Sequence, residues 1–355
     1  MAIMMSWPEL LSGLIRGEDQ PAEATGWAMG QILSGDATPA QLTAFVIALR
    51  SKGETVEELT GLADVMIEFA TPIEIGGPAV DVVGSGGDRS NTVNISTMAA
   101  IVAAAAGARV VKHGNRAASS ACGAADVLEA LGVALDLVPE AQQQVVDQVG
   151  IGFLFAPQYH PALRHAAAPR RELGIPTTFN FLGPLANPAQ PISQAVGVAD
   201  PRMAGLMAGV FASRGNYGLL FHGGDGLDEL TTTTSSTVWV YADGEVERME
   251  LDPLALGVPR ASLPDLVGGE ARANAEVVRE LVAGKPGPVR DVVVLNAAAA
   301  LVAYGKPATG RLEADFAAEL ERARRAIDSG AAQTKLREWI ETTQSIKRLS
   351  EPGAS

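Results

Sequence analysis

A glycine-rich stretch in the first third of the chain has residue types suited to binding an anion. Residues 83–97, VGSGGDRSNTVNIST, hold three glycines, an aspartate and several hydroxyl side chains just before an alanine-rich helix. Glycine weakens local structure, so this stretch must need bare backbone. A strand, a glycine loop and a helix start together present backbone N–H groups to an anion. Because the glycines are so dense, the stretch predicts a phosphate site rather than a simple tight turn.

Two familiar phosphate-binding patterns do not match this sequence. The dinucleotide pattern G-x-G-x-x-G fails because Arg89 stands where the third glycine belongs. The Walker pattern fails because the Gly-Lys pairs at 284–285 and 305–306 are each followed by proline instead of Ser or Thr. The sequence therefore predicts a phosphate ligand that is held in another way.

A second polar cluster follows the next predicted strand. The segment KHGNRAASSACGAADVLEALG, residues 112–132, begins where the strand 109–112 ends. Lys112 and Arg116 supply positive charge, and Asn115, Ser119 and Ser120 supply neutral donors. In a parallel sheet these residues lie at the same edge as the glycine loop, which is where open α/β sheets bind ligands. Single residues of this kind are often solvated surface groups, but their shared edge favours a ligand site.

A third cluster is acidic and again comes directly after a strand. The segment HGGDGLDEL, residues 222–230, crowds Asp225, Asp228 and Glu229 beside an edge that otherwise seeks phosphate. Mutual repulsion makes that arrangement costly unless a cation intervenes, and Mg²⁺ takes carboxylate, hydroxyl and phosphate oxygens. Asp225 alone fits a solvated loop, whereas the adjacent Asp228-Glu229 pair predicts a Mg²⁺ site.

A fourth cluster, residues 156–188, offers a guanidinium to a carboxylate ligand. Arg170 and Arg171 lie in a predicted helix between His160 and a rigid LGPL turn, and an arginine presents a planar fork to a carboxylate. The helical spacing predicts that at most one of the two arginines faces a pocket. His160 and His165 are five residues apart and do not share a helix face well, so they are not expected to bind a metal as a pair.

Composition limits the partners and the compartment. The 355 residues are 47% hydrophobic and 19% charged, with a formal net charge of −14. The electrostatic field of this net negative charge repels nucleic acid and anionic membranes, although a pocket can still be locally basic. Cys122 is the single cysteine, which excludes an internal disulfide and fits a reducing compartment. The first residues lack the basic region of a signal peptide, so we expect a cytoplasmic protein.

The order of predicted elements sets the fold class. Residues 1–75 contain helices only, with helix starts at Thr38-Pro39 and at the capping box that Thr55 opens. After a linker at 71–78, strands and helices alternate, and Asp243-Gly244 marks a hairpin turn. This alternation predicts an α/β fold with a mainly parallel central sheet flanked by helices, beside a smaller all-helical N-terminal domain. We place the domain boundary so that 1–75 is helical and 76–355 is the α/β domain.

Taken in order, these clusters resemble the anthranilate phosphoribosyltransferase family. The resemblance covers nearly the whole chain and includes GSGGD, NIST, KHGNR, ADVLEALG, RRELG, FN-x-LGPL-x-NP, GLDE and the C-terminal AIDSGAAQTKL. It implies transfer of the phosphoribosyl group of 5-phosphoribosyl 1-pyrophosphate to the amine of anthranilate, in L-tryptophan biosynthesis. It also implies a Mg²⁺ cofactor, a homodimer formed through the helical domain, and completion of that domain by helices around 160–190.

The resemblance also assigns roles to individual residues. It implies a phosphoribosyl pyrophosphate site at Gly84, Gly87, Asp88, Thr92, Asn94, Ile95, Ser96, Thr97, Lys112, His113, Gly114, Asn115, Arg116, Ala117, Ala118, Ser119, Ser120 and Ala124. It implies Mg²⁺ contacts at Ser96, Asp228 and Glu229. It implies anthranilate contacts at Gly84, Asn115 and Arg170, with His113, His160 and Pro184 nearby. Lys112 is expected to assist the leaving group electrostatically, and no residue is assigned as a nucleophile or base.

The chain departs from the family pattern at a few positions. Ala124 replaces a serine whose hydroxyl is often counted among the phosphate contacts, Ser85 stands where threonine is common, and Pro176 stands where arginine is common. These departures affect individual contacts rather than the activity.

Two other functions remain as alternatives. A pyrimidine nucleoside phosphorylase shares the architecture and uses phosphate, but its signature Lys-His-Ser before the glycines is missing before Gly84. A non-catalytic relative that binds nucleic acid needs a basic face, which the net charge opposes.

Overall fold

The computed structural model describes residues 5–117, 121–308 and 310–350, which form a seven-stranded sheet surrounded by helices. The strands are β1 Val80–Gly84, β2 Val110–Gly114, β3 Ile151–Phe155, β4 Ser193–Gly197, β5 Tyr217–Gly223, β6 Ser236–Ala242 and β7 Glu245–Leu251. The helices are α1 Trp7–Ile15, α2 Ala22–Ser34, α3 Pro39–Lys52, α4 Val56–Glu68, α5 Ile95–Ala105, α6 Ala124–Leu131, α7 Pro139–Val149, α8 Ala156–Tyr159, α9 Arg164–Leu173, α10 Phe179–Leu185, α11 Pro201–Ser213, α12 Ala271–Val282, α13 Pro288–Tyr304, α14 Leu312–Asp328 and α15 Ala331–Ser350.

The sheet order is β3-β2-β1-β4-β5-β6-β7. The five strands from β3 to β5 pair in parallel, whereas β6 and β7 join antiparallel at one end. The chain runs outward from β1 through β2 to β3 and then returns to β4 on the other side of β1. The loops after β1 and β4 therefore diverge at a topological switch point, the usual ligand site of such a sheet. The predicted α/β fold class with a mainly parallel sheet is confirmed.

The antiparallel end is a hairpin closed by the predicted turn. Asp243 and Gly244 have φ angles of 52° and 83°, and Ala242 pairs with Glu245 across the turn. Two residues in the left-handed region are what a type I′ turn requires, and its twist matches that of the flanking strands. The hairpin prediction from Asp-Gly is confirmed.

Helices α1 to α4 share a hydrophobic core with one face of the sheet. One cluster of buried residues joins Leu49 of α3, Leu182 of α10 and Met207 of α11 to Val196 of β4. A second cluster covers the opposite sheet face and includes Trp339 of α15, which is fully buried. Because successive strand residues point to opposite faces, β1 contributes Val82 to the second cluster and its neighbour in sequence to the first.

Local signals in the sequence explain where the N-terminal helices begin. Thr38 and Thr55 each accept a hydrogen bond from the backbone N–H three residues later. The side chains of Gln41 and Glu58 in turn accept one from the backbone N–H of the cap residue. Both capping boxes satisfy N–H groups that a helix start leaves without partners. The carboxylate of Glu58 also accepts from the backbone N–H of Gln20, which ties the start of α4 to the segment before α2.

Three details of the sequence-based element assignment were wrong or incomplete. The LGPL sequence, expected to be a rigid turn, forms the end of α10, with Pro184 inside the helix. Helix α12 was not predicted, although its buried residues recur at helical spacing. The last helix, for which the sequence pattern predicts only 335–343, extends from Ala331 to Ser350, and its Leu336 and Trp339 pack in the core.

Among the described residues, no helix combines the length and the apolar character that crossing a membrane demands.

Packing of α2 against α4 depends on a glycine. A Cβ at Gly61 would overlap the Ala22 carbonyl oxygen and lie 2.5 Å from Thr25 Oγ1. We expect Gly61→Ala to lower the free energy of unfolding by about 1–3 kcal/mol, because overpacking forces the helices apart. Urea denaturation followed by circular dichroism measures this change.

Gly30 is the matched control on α2. A Cβ there would have Val65 Cγ1 at 3.9 Å as its nearest neighbour. Gly30→Ala is expected to raise the free energy of unfolding by about 0.5–1 kcal/mol, because alanine is the better helix former. Equal destabilisation by the two substitutions would contradict the packing argument.

Candidate active site

The glycine loop between β1 and α5 is built around an aspartate from a distant segment. The Gly86 N–H donates to Asp228 Oδ2 at 2.6 Å, and a Cβ at Gly84 would overlap the same oxygen. Gly86 and Gly87 have φ angles of 66° and 90°, which favour glycine, and Arg89 also has a positive φ of 61°. The glycines therefore let the loop turn sharply and let Asp228 approach the end of β1.

Three carboxylates converge beside this loop. One ligand oxygen from each of Asp88, Asp228 and Glu229 lies within 4.8 Å of the others. Burial, followed by the charge of Asp88, raises the pKa of Asp228 to about 6. Burial, followed by the charges of Asp228 and Asp88, raises the pKa of Glu229 well above its usual value. Asp228 and Glu229 therefore hold protons more tightly than free carboxyl groups do, in the position where a divalent cation would replace those protons.

Lys112, the third residue of β2, places a positive charge under the cluster. Its side chain is 1% exposed, and Nζ donates to the Val82 carbonyl oxygen and, at 3.1 Å, to Ser96 Oγ. Burial lowers the pKa of Lys112 to about 8, while the carboxylates of Asp81, Glu229 and Asp228 oppose that shift. Lys112 is therefore protonated at neutral pH and partly offsets the acidic cluster.

The loop after β2 is held by a carboxylate of α6. Asp126 Oδ2 accepts from the backbone N–H groups of Ala117 and Gly123, each at 2.9 Å. Arg116, predicted to contact phosphate, directs its guanidinium to Asp126 at 3.0 Å and Glu129 at 2.9 Å. The positive charge expected from Arg116 is thus already paired within the protein.

These loops enclose a cleft of about 300 Å³, here called the loop cleft. It is lined by residues 83–88, 91–94, 96, 97, 112–117 and 122–124, with Asn180, Asp228 and Glu229. A larger cleft of about 630 Å³, here called the helix cleft, is lined mainly by residues of α8 to α10 and their connections. Gly87, Asn115 and Asn180 line both clefts, so two ligands bound in them would be neighbours.

The helix cleft holds the predicted guanidinium. Arg170 stacks over the ring of Phe179, with Cζ 5.4 Å from the ring centroid, and partial burial lowers its pKa. Arg171 lines the same cleft, so the expectation that at most one of the two arginines faces it is wrong. Both residues lie in the last turn of α9, where Arg170 is partly buried and Arg171 is exposed.

Two buried histidines lie near the junction of the clefts. The rings of His113 and His160 are 5.2 Å apart, and burial together with the neighbouring His160 lowers the pKa of His113 to about 3. His113 is therefore neutral, and Nδ1 must carry its proton because it lies 3.0 Å from the Gly183 carbonyl oxygen. The other ring nitrogen, Nε2, is a buried acceptor without a hydrogen-bond partner.

Four of the nine buried polar side-chain atoms that lack a hydrogen-bond partner in the described part of the chain belong to residues that line the two clefts. Thr97 Oγ1, His113 Nε2 and Glu229 Oε2 are buried without partners, and all three residues line the loop cleft. Thr177 Oγ1 is in the same situation at the helix cleft. Buried polar atoms normally have partners, so these atoms indicate that ligands complete the site.

The structure brings most of the predicted site residues to these clefts. The loop cleft contains Gly84, Gly87, Asp88, Thr92, Asn94, Ser96, Thr97, Lys112, His113, Gly114, Asn115, Arg116, Ala117, Ala124, Asp228 and Glu229. Arg170 and His160 line the helix cleft. Ile95 is instead fully buried in the core, and Pro184 lines a separate cavity with Asp64 and Arg214. Ala118, Ser119 and Ser120 lie outside the described residues.

Sequence reasoning missed several residues of the site. Asn180 lines both clefts, and its Oδ1 accepts from the Thr177 N–H at 3.0 Å, which directs its amide nitrogen away from the backbone. The FN-x-LGPL element contained the signal for it. Asp88 was assigned to phosphoribosyl pyrophosphate, whereas its carboxylate lies with the acidic pair. That grouping requires the loop to fold back toward β5, which sequence spacing cannot reveal.

Comparison with known proteins agrees over nearly the whole chain. A model described as "Glycosyl transferase family, a/b domain" matches residues 76–333, and one described as "Glycosyl transferase family, helical bundle domain" matches residues 8–70. The anthranilate phosphoribosyltransferase of Thermobifida fusca is 57% identical over 339 residues, which cover 96% of this chain and 97% of that protein.

Two solved structures are similar as well. The crystal structure of anthranilate phosphoribosyltransferase from Thermus thermophilus has a TM-score of 0.87 at 38% identity, covering 94% of this chain and 99% of that one. The Saccharomyces cerevisiae enzyme in complex with PRPP (phosphoribosyl pyrophosphate) and Mg has a TM-score of 0.86 at 25% identity, covering 96% and 98%.

The contact between Gly84 and Asp228 makes a direct test of the acidic cluster. We expect Gly84→Ala to weaken Mn²⁺ binding at least about tenfold, because the added methyl displaces a carboxylate that the cation needs. Isothermal titration calorimetry with Mn²⁺ measures the affinity. Gly76→Ala, whose Cβ would meet nothing within 4 Å, is the matched control. Unchanged Mn²⁺ affinity in Gly84→Ala would remove Asp228 from the cation site.

Proposed function

The chain belongs to the glycosyl transferase family of anthranilate phosphoribosyltransferases, and from this we propose that its two clefts hold the two substrates of that reaction. It transfers the phosphoribosyl group of 5-phosphoribosyl 1-pyrophosphate to the amine of anthranilate. The products are N-(5-phosphoribosyl)anthranilate and pyrophosphate, and the reaction belongs to L-tryptophan biosynthesis. The pairing of a polar, acid-lined cleft with a guanidinium-lined cleft is the single observation that carries the substrate assignment.

The chemistry of the loop cleft supports the phosphoribosyl pyrophosphate assignment. Its glycine loop offers backbone N–H groups to phosphate oxygens, and the start of α5 adds the partial positive charge of a helix N-terminus. Thr97 Oγ1 and Asn94 contribute short side chains at the same place. The acidic cluster opposes an anion there, so the assignment requires a cation.

Mg²⁺ fits the donors at the edge of this cleft. Asp88, Asp228 and Glu229 supply the hard carboxylate oxygens that Mg²⁺ prefers. Glu229 Oε2 is buried without a hydrogen-bond partner, which is consistent with a metal ligand. We propose Asp228 and Glu229 as ligands, with Ser96 and Asp88 beside them. When bound, Mg²⁺ supplies positive charge to the oxygens of the departing pyrophosphate.

The remaining help from the protein is electrostatic. Breaking the bond between C1 and pyrophosphate develops positive charge on the ribose and negative charge on the departing group. Lys112 is fixed before reaction by its hydrogen bonds to the Val82 carbonyl oxygen and to Ser96 Oγ, so it needs little reorganisation to stabilise the leaving group. The protein positions these charges and needs no covalent intermediate.

The acceptor amine needs orientation rather than activation. An aromatic amine is already unprotonated near neutral pH, so no strong general base is required, and His113 with a pKa of about 3 is no proton donor there. The shared lining at Gly87, Asn115 and Asn180 lets an amine in the helix cleft approach a ribose in the loop cleft. Holding the two reacting atoms together accounts for much of the acceleration.

The direct test of the activity follows anthranilate fluorescence. On mixing with phosphoribosyl pyrophosphate and Mg²⁺, we expect the fluorescence of anthranilate to fall, with one pyrophosphate released per anthranilate consumed. Phosphate with thymidine or uridine should release no free base, which tests the nucleoside phosphorylase alternative. Absence of fluorescence loss together with phosphorolysis would overturn the proposed function.

Several features of the protein remain predictions. We propose a homodimer formed through the helical domain, which is supported by an apolar groove of Leu14, Ala44 and Ile47 and by Ile15, 78% exposed beside it. We also retain the division into 1–75, completed by helices around 160–190, and 76–355. A cytoplasmic location remains an expectation from the sequence.

Arg170 is proposed to anchor the anthranilate carboxylate. We expect Arg170→Ala to raise the KM for anthranilate about ten- to a hundredfold, because a charge-assisted contact of about 1.5–3 kcal/mol is lost. The KM for phosphoribosyl pyrophosphate should change much less. Steady-state kinetics with each substrate varied in turn measures both values.

Arg171→Ala provides the matched control for this prediction. Arg171 lines the same cleft but is exposed at the rim. Its loss should change the KM for anthranilate less than about threefold, as expected of a solvated charge. If both substrates suffer equally in Arg170→Ala, the residue is not the carboxylate anchor.

The depressed pKa of Lys112 predicts an alkaline limit. Below a pH of about 8 the ammonium is charged, and above it the free enzyme loses this charge. Because kcat/KM reports ionisations of the free enzyme, kcat/KM for phosphoribosyl pyrophosphate should decline above about pH 8. The bound anion stabilises the ammonium, so the decline in kcat should occur at higher pH.

Lys112→Met is the variant that identifies the ionising group. It should have low residual activity without the decline near pH 8, because no charge is left to lose. The same alkaline decline in Lys112→Met would assign it to another group.

A further inference from the structure

Asn274, near the start of α12, contacts the glycine loop from outside both clefts. Its side chain is 2% exposed, and it is not among the residues that line the loop cleft or the helix cleft. The segment before it runs along the loop, with the Val93 N–H donating to the Leu266 carbonyl at 2.9 Å and the Gly268 N–H donating to the Asn91 carbonyl at 2.8 Å. These two backbone hydrogen bonds therefore hold the loop that leads into α5 against the segment before α12.

A short series of hydrogen bonds links Asn274 to the loop cleft. Asn274 Oδ1 accepts from the Gly269 N–H at 2.7 Å, and Asn274 Nδ2 donates to Asn94 Oδ1 at 2.9 Å. Asn94 Nδ2 in turn donates to the Cys122 carbonyl oxygen at 3.1 Å. The series connects the segment before α12, the glycine loop and the loop after β2.

The two ends of the series determine how both amides are oriented. A backbone N–H can only donate, so Gly269 requires the oxygen of Asn274 on its side. A backbone carbonyl can only accept, so Cys122 requires the nitrogen of Asn94 on its side. Both requirements give the same pattern, in which Asn274 offers N–H to the oxygen of Asn94.

The orientation matters because Asn94 lines the loop cleft. Its oxygen is directed to buried Asn274, so its N–H₂ edge faces Cys122, another residue of the loop-cleft lining, whose thiol both amides also contact. A phosphate or ribose oxygen would meet a donor there, whereas a flipped amide would present an acceptor. Gly268 permits this arrangement, since a Cβ there would lie 2.9 Å from Asn274 Oδ1 and from the backbone of Thr92 and Val93.

We propose that Asn274 is a positioning residue for phosphoribosyl pyrophosphate, which holds the amide of Asn94 with its N–H₂ edge toward the loop cleft. The proposal rests on the proposed function for the identity of the ligand. Asn274 does not touch the substrate. It acts through Asn94, whose hydrogen bond to the Cys122 carbonyl oxygen also joins the loop after β1 to the loop after β2.

Asn274→Asp tests the orientation with almost no change of shape. The new carboxylate still accepts from the Gly269 N–H but has no hydrogen to donate to Asn94, whose amide then turns its oxygen toward the cleft. At pH 8 we expect the KM for phosphoribosyl pyrophosphate to rise about tenfold, as when one hydrogen bond to a charged group is lost. The KM for anthranilate should change less than about threefold, and the melting temperature by only a few degrees.

The pH dependence of this variant separates orientation from general damage. A protonated carboxyl group can donate to Asn94 as the amide did, so the ratio of the variant KM to the wild-type KM should fall toward one between pH 8 and pH 5.5. In an Asn94→Ala background, adding Asn274→Asp should raise the KM for phosphoribosyl pyrophosphate less than about twofold, because the two residues act as one unit.

Two further variants keep the test decisive. Asn216→Asp alters another asparagine that donates to backbone carbonyls but lines neither cleft, and should leave both KM values unchanged. If Asn274→Asp does not fold, Asn94→Asp still accepts from Asn274 but presents a carboxylate to the cleft, so the KM for phosphoribosyl pyrophosphate must rise at least about tenfold.

Three results would overturn the role of Asn274. They are equal increases in both KM values, full additivity with Asn94→Ala, and an unchanged KM for phosphoribosyl pyrophosphate in Asn94→Asp. An inactive wild-type enzyme would instead contradict the proposed function, because all variant effects are ratios to an active wild type.

Discussion

The site depends on the repulsion among three carboxylates that the fold holds beside the glycine loop between β1 and α5. Asp88, Asp228 and Glu229 come from two segments far apart in sequence and meet within 4.8 Å. Packing keeps them there, since a Cβ at Gly197 of β4 would overlap the backbone oxygen of Asp228. Asn296 of α13 holds the same segment through hydrogen bonds with both backbone groups of Leu230. The free energy of folding maintains a charge arrangement that only a cation or protons can relieve.

The architecture explains why the two clefts proposed to hold the substrates adjoin each other. The parallel strands deliver the glycine loop, Lys112 and the acidic pair to one sheet edge, beside the switch point between β1 and β4. Helices α8 to α10 cross the same edge and carry the guanidinium of Arg170. Because α9 and α10 share a hydrophobic core with α1 to α4 and one sheet face, the helix cleft is fixed relative to the loop cleft.

Much of this arrangement can be predicted from sequence because local signals determine it. Alternating strands and helices, the Asp-Gly hairpin and two capping boxes identified the fold class and most element positions. Lys112 could also be predicted to lie near the glycine loop, because the carboxyl ends of parallel strands lie at the same edge of the sheet. Capping boxes and hairpin turns depend only on residues close together in sequence, so a single sequence is enough to predict them.

The remainder depends on contacts between distant segments, which spacing does not encode. The guanidinium of Arg116 pairs with Asp126 and Glu129 because α6 packs beside the loop after β2. Pro184 faces a cavity behind the site because LGPL continues a helix instead of turning. Asn274 lies 180 residues from its partner Asn94. In each case tertiary packing decides which side of the element the residue occupies.

The most direct test is the affinity of the protein for phosphoribosyl pyrophosphate, measured by calorimetry with Mg²⁺ and again with the divalent cations removed by EDTA. At neutral pH Mg²⁺ should strengthen binding at least about a hundredfold, because carboxylates otherwise face the diphosphate. In Asp228→Asn with Glu229→Gln this dependence should disappear. Equal affinity of the wild-type protein under both conditions would contradict the account.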